Sequence, residues 1–77
     1  MSEREYTIIL QPDLDEGGYT VTVPALPGVV TEGDTVEEAI EMAKDAISCH
    51  LEALRATGRP IPEEREHPRA LIIRVAA

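Results

Sequence analysis

Fifteen carboxylates, one thiol and two imidazoles are the side chains of this 77-residue chain with the best prospect of chemistry, set against seven Lys and Arg. Cys49 and His50 are adjacent. Neighbours in a helix point about 100° apart, so the two do not face each other as a nucleophile and its base must. A reactive thiol also needs electropositive surroundings, and Glu41, Asp45 and Glu52 make this neighbourhood acidic. Cys49 therefore reads as a tolerated surface or interface thiol, and His50 as a packing or edge residue. Two-metal phosphoryl chemistry requires carboxylates that converge on ions ~4 Å apart. The acids here are spread over Asp13, Asp15 and Glu16, then Glu32 and Asp34, then one side of a helix, then Glu63, Glu64 and Glu66. None lies mid-strand at a converging position, so they read as solvated acids. Asp13-x-Asp15 lacks the remaining ligands of a calcium loop, and one Cys with two distant His makes a poor zinc set. Gly17-Gly18 leads into a strand and opens no helix, so no phosphate cradle forms. The expectation is no catalytic residue, no metal and no cofactor. A nuclease reading would require divalent-metal-dependent cleavage that is lost on mutating Asp13 or Glu38.

The formal charge of −8 opposes phosphate backbones. With two Tyr and no Phe or Trp there is no stacking platform for RNA, so direct nucleic-acid binding is not expected. Acidity serves solubility, and it also draws in basic partners. The opening Met-Ser-Glu-Arg-Glu carries no apolar run, so neither a signal peptide nor a membrane span is expected, and the free thiol fits the cytoplasm. A chain of this length is expected to form one domain, residues 1–77, burying only ~60% of its unfolded surface. Small scaffolds usually add a staple. Disulfide and metal being set aside, a homo-oligomer is expected.

The elements that would position these residues follow from periodicity. Residues 5–11 alternate, with Tyr6, Ile8 and Leu10 on one face and Thr7, Ile9 and Gln11 on the other. Pro12 should stop this strand, and residues 13–18 should form a hairpin connection using the glycines' access to positive φ. Residues 19–23 alternate most cleanly, Tyr19, Val21 and Val23 against Thr20 and Thr22. Pro24 and the turn at Leu26-Pro27-Gly28 lead to a third strand, residues 29–32. Thr35 and Glu38 form a capping box, with Asp34 suited to the helix dipole. Val36, Ile40, Ala43, Ile47, Leu51 and Leu54 recur at helical spacing as the stripe facing the sheet. Gly58 should cap the C-terminus, and Pro60 forbids continuation. After a polar loop, residues 71–75 read as a last strand with Leu71, Ile73 and Val75 on one side. The expected architecture is α+β, β-β-β-α-β: a three-strand antiparallel meander, a fourth strand parallel to the first by a right-handed crossover, and the helix across one face. The other sheet face would carry Ile9 and Ile72 among Thr7, Thr20, Thr22 and Arg74, a candidate interface.

The run Glu16-Gly-Gly-Tyr-Thr-Val-Thr-Val-Pro-Ala-Leu-Pro-Gly28, followed by Thr31-Glu-Gly-Asp-Thr-Val-Glu-Glu-Ala39, resembles the opening of the HicB-like antitoxins. Ala43-Lys-Asp-Ala46 and Gly58-Arg-Pro-Ile-Pro-Glu63 resemble that family's helix interior and the segment after it, so the similarity covers about residues 5–76. The resemblance implies a partial ribonuclease H-like fold without catalytic acids. It implies a domain that holds a small basic HicA-like toxin, covers its catalytic surface and stops mRNA cleavage. A helix-turn-helix or ribbon-helix-helix segment usually follows in such antitoxins. Residues 61–77 read as a loop and one strand, so operon repression is not expected of this chain itself. The residues expected to contact the partner are Asp13, Asp15, Glu16, Glu32 and Asp34, with Ile9, Thr20 and Thr22 on the open sheet face. The alternative is a homo-oligomeric protein-binding module of the same fold with no toxin partner.

Overall fold

The computed structural model describes residues 3–76. Three strands, β1 (Ile9–Pro12), β2 (Tyr19–Thr22) and β3 (Val30–Gly33), form an antiparallel sheet in the order β1-β2-β3, and one helix, α1 (Val36–Ala56), packs across β2 and β3. The register pairs Ile9 with Thr22 and Gln11 with Thr20, then Thr20 with Glu32 and Thr22 with Val30. The protein is α+β, and the alternation expected of each strand sets which face is covered.

The first strand is shorter than expected and includes Pro12. The Asp13 amide donates to the Gly18 carbonyl at 2.9 Å, and antiparallel hydrogen-bonded pairs alternate. Odd-numbered residues of β1 therefore turn their backbone groups toward β2. Pro12 faces the free edge, where its missing N–H breaks no ladder bond. Residues 5–8 lie outside the sheet, and the Thr7 amide donates instead to the Glu64 carboxylate, at 2.9 Å.

The core lies between sheet and helix. Val21, Ala39 and Ala43 form one cluster, while Val23, Leu26, Val29, Leu51 and Leu54 form another, with Ile8 bridging both. Leu26 is the surprise of the connection between β2 and β3. Its amide donates to the Val23 carbonyl, and Gly28, at φ 95°, turns the chain so that Val29 follows Leu26 inward. The helix begins as its capping box requires: the Glu38 amide donates to Thr35 Oγ1, and the Asp34 amide donates to Glu38 Oε1, both at 3.0 Å. It ends in a Schellman turn, with Gly58 at φ 71°, its amide bonded to the Arg55 carbonyl and the Arg59 amide to the Leu54 carbonyl.

Two expectations about packing need correction. The buried line of the helix is Ala39, Ala43, Leu51 and Leu54, whereas Val36 and Ile40 are exposed. The helix sits over β2 and β3, so its other apolar flank overhangs β1. The fourth strand expected at residues 71–75 is not part of the sheet. Those residues have no regular structure, and Leu71, Ile72, Ile73 and Val75 are exposed. The chain after the helix is instead held at residues 61–67 by Ile61 against the core and by bonds to Tyr6, Thr7 and Glu5. Beyond that clasp it leaves the body. The radius of gyration is 14.6 Å and the longest extent 49 Å, against roughly 11.5 Å expected for a compact domain of this size.

Candidate protein-binding face

The sheet face opposite the helix is uncovered, and its composition follows from the register. Ile9, Thr22 and Val30 form one row across the three strands, and Gln11, Thr20 and Glu32 form the next. All six are exposed. Ile9, Thr20 and Thr22 stand together there as parity required. Val30, 62% exposed, completes the apolar row and was missed. Its spacing of two from Glu32 carried that signal.

The acidic residues converge where the β1–β2 hairpin meets the turn before the helix. Asp13 and Glu16 from the hairpin, Glu32 from β3, and Asp34 and Glu38 from the turn and first helical residues line one open depression of about 380 Å³. Tyr19, Thr20 and Met42 line it too. Thr20 belongs both to this depression and to the flat face, so the two form a continuous surface. Asp15 does not line the depression and lies on the exposed hairpin tip beside Leu14. Ile72, expected on this face, lies instead on the departing segment.

Local structure occupies two of these acids, Asp13 and Glu38. Asp13 Oδ1 accepts from the amides of Asp15 and Glu16, at 3.0 and 3.1 Å, and so fixes the hairpin. Glu38 serves the cap, and Glu37 and Glu38 in the first turn face the positive end of the helix dipole. Glu38 and Met42, four residues apart on one side of the helix, were not expected at the site. The capping box accounted for Glu38 and concealed its second neighbourhood. Among the described residues, no group of three His, Cys, Asp or Glu is placed to hold a metal ion. No helix among them is long and apolar enough to cross a membrane.

The shifted titrations among the described residues lie elsewhere, in the clasp. Glu64 is held down to about 2 by hydrogen bonds from His67 and then from the Thr7 hydroxyl and amide. His67 is raised by its bond to Glu64 and a second to Glu5. Three pairs, Tyr6–Pro62, Thr7–Glu64 and Glu5–His67, 56–62 residues apart in sequence, tie the chain after the helix to the segment before β1.

The surface thus combines a flat, partly apolar face with a carboxylate-lined recess. Comparison with known proteins bears on what it is for. Residues 6–71 match the profile of the HicB-like antitoxin of bacterial toxin–antitoxin systems. A UPF0150 protein of Synechocystis sp. is 44% identical over 59 residues, covering 77% of this chain and 73% of that protein. A UPF0150 protein of Thermoplasma acidophilum is 42% identical over 60 residues, 78% of this chain and 86% of that protein. Antitoxin HicB 1 of Photorhabdus laumondii is 44% identical over 57 residues, 74% of this chain but 36% of the antitoxin. The chain thus matches most of the length of the short relatives and about a third of the longer antitoxin. It belongs to the HicB-like antitoxin family.

Proposed function

We propose that this protein binds and masks a small basic HicA-like toxin that cleaves mRNA, doing so in the cytoplasm and without contacting nucleic acid itself. The observation that carries the reading is the convergence of Asp13, Glu16, Glu32 and Asp34 on one depression continuous with the open face of Ile9, Thr20, Thr22 and Val30. An RNA-cleaving toxin presents Lys and Arg to its substrate, and an acidic cover competes for those same side chains. Each exposed ion pair contributes only about 0–1 kcal/mol, so several must act together with apolar contact from Ile9 and Val30. Association should be fast and salt-sensitive. The protein contributes no catalytic group in this reading; it acts by occupying the toxin's surface. The partial ribonuclease H-like arrangement implied by the resemblance needs a strand beside β1, and the sheet offers a free edge there.

The test is a tagged pull-down from native extract at low and high salt, with the eluate identified by mass spectrometry. A small basic ribonuclease that elutes as salt rises is the expected outcome. The triple variant Asp13→Lys, Glu16→Lys, Glu32→Lys should lose it, and unchanged capture by that variant would remove the depression from the interface. The second reading, a self-associating module without a toxin, is favoured by one observation: the exposed apolar segment of residues 71–75.

A further inference from the structure

The helix overhang and the departing segment are two halves of one unfinished core. Between α1 and the segment before β1 runs an open groove of about 480 Å³ whose apolar lining is Tyr6, Ile8, Ile40, Ala43, Ile47 and Leu51, with Arg4, Lys44 and Arg55 among its charged lining. It adjoins the start of β1, where the alternation that turns Ile9 and Gln11 toward β2 leaves the backbone groups of Ile8 and Leu10 facing the free edge. An apolar cavity of ~150 Å³ holds a benzene-sized group, so this groove accommodates about three large aliphatic side chains. Residues 71–75 present three on one side, Leu71, Ile73 and Val75, all more than 70% exposed. As a strand they would span about 13 Å, and the helix from Ile40 to Leu51 about 16 Å.

The segment does not enter the groove of its own domain. By His67 the chain has reached Glu5, before the start of β1, and Pro68 follows. Residues 68–76 are then exposed throughout. We propose that residues 71–75 add as a fourth strand to the β1 edge of a second copy of this chain, seating Leu71, Ile73 and Val75 in its groove while the second copy returns its own segment. The exchange is reciprocal, so two copies close into a dimer with two-fold symmetry and no strand left over. It completes the core of each subunit and covers a free edge of the sheet. This interface lies on the helix side of the sheet and is independent of the toxin-binding reading.

Two measurements on the 77-residue chain test it. In analytical ultracentrifugation the protein should be a dimer. Ile73→Lys, and on the receiving side Ile40→Lys, should each weaken dimerisation at least tenfold with an unchanged helical circular dichroism signal. Ile72→Lys, of opposite parity, should change it less than about threefold. In the second, a spin label on Ala76→Cys in a Cys49→Ser background is mixed with unlabelled-spin ¹⁵N chain. Amides of Ile8, Leu10 and Ile47 in the ¹⁵N chain should broaden. A monomer, a dimer equally sensitive to positions 72 and 73, or no broadening of these amides in the ¹⁵N chain would each overturn the proposal.

Discussion

The two flanks of the single helix are packed to opposite standards. On the flank over β2 and β3, Ala39 and Ala43 are buried, and the first turn lies so close that a Cβ on Gly33 would stand 2.5 Å from the Ala39 nitrogen. Gly18 is pressed in turn against the Gly33 carbonyl, where a Cβ would come to 2.8 Å. On the other flank Val36 and Ile40 are 42% and 37% exposed, and Ile40 lines an open groove. Small residues close the first flank because backbone meets backbone there. Large aliphatic residues on the second pack only partly, Ile47 against the core and Ile40 on the open groove. The difference separates what folds the domain from what the domain offers to others.

Mutation should sharpen that contrast, and the largest losses belong to the closed side. Leu26→Ala empties the largest fully buried position and should cost about 2–5 kcal/mol in chemical denaturation. Near-wild-type stability would mean that the β2–β3 connection is not part of the core. Gly33→Ala forces strand and helix apart and should cost about 1–3 kcal/mol, seen as a Tm lowered by roughly 4–8 °C per kcal/mol. Thr35→Ala removes the acceptor for the Glu38 amide, at a cost of about 1 kcal/mol. Ile40→Ser, on the open flank, should by contrast leave the stability of dilute monomer within about 0.5 kcal/mol. A loss as large as that at Gly33 would show the two flanks to be equally built.

The smallest expected effect is at the clasp that launches the departing segment. His67 is raised above its ordinary 6.5. Its contribution is therefore complete below that pH and is lost as pH climbs through the raised value. Glu64 is lowered from 4.5 to about 2, so its contribution is complete above 4.5 and is lost as pH falls toward 2. The clasp should be tightest between about pH 4.5 and 6.5, and hydrogen-exchange protection of the Thr7 amide should peak in that window. His67→Ala should remove the decline on the alkaline side and leave the acidic one.

Much of this was legible residue by residue. Strand parity put Ile9, Thr20 and Thr22 on one face, because alternation is a property of any extended chain. Thr35, Glu38 and Gly58 announced the helix ends, because capping involves groups a few residues apart. Asp13, Glu16, Glu32 and Asp34 were separate turns in sequence, and only the register of three strands made them one depression. The Glu64–Thr7–His67 clasp joins residues whose separation no local pattern spans.

The sequence by itself determined the α+β class, the order of three strands and a helix, the acidity and the face left bare, since each rests on local periodicity or on a sum of charges. The tertiary structure decided where the helix lies. The near-contact of Gly33 with Ala39 draws it toward β3 and turns Ile40 and Ile47 into the wall of a groove. It also decided that residues 71–75, a strand by every local criterion, stand outside the sheet. Alternation specifies a strand but not its partner, and pairing depends on where the preceding residues are anchored, which here is at Glu5, Tyr6 and Thr7.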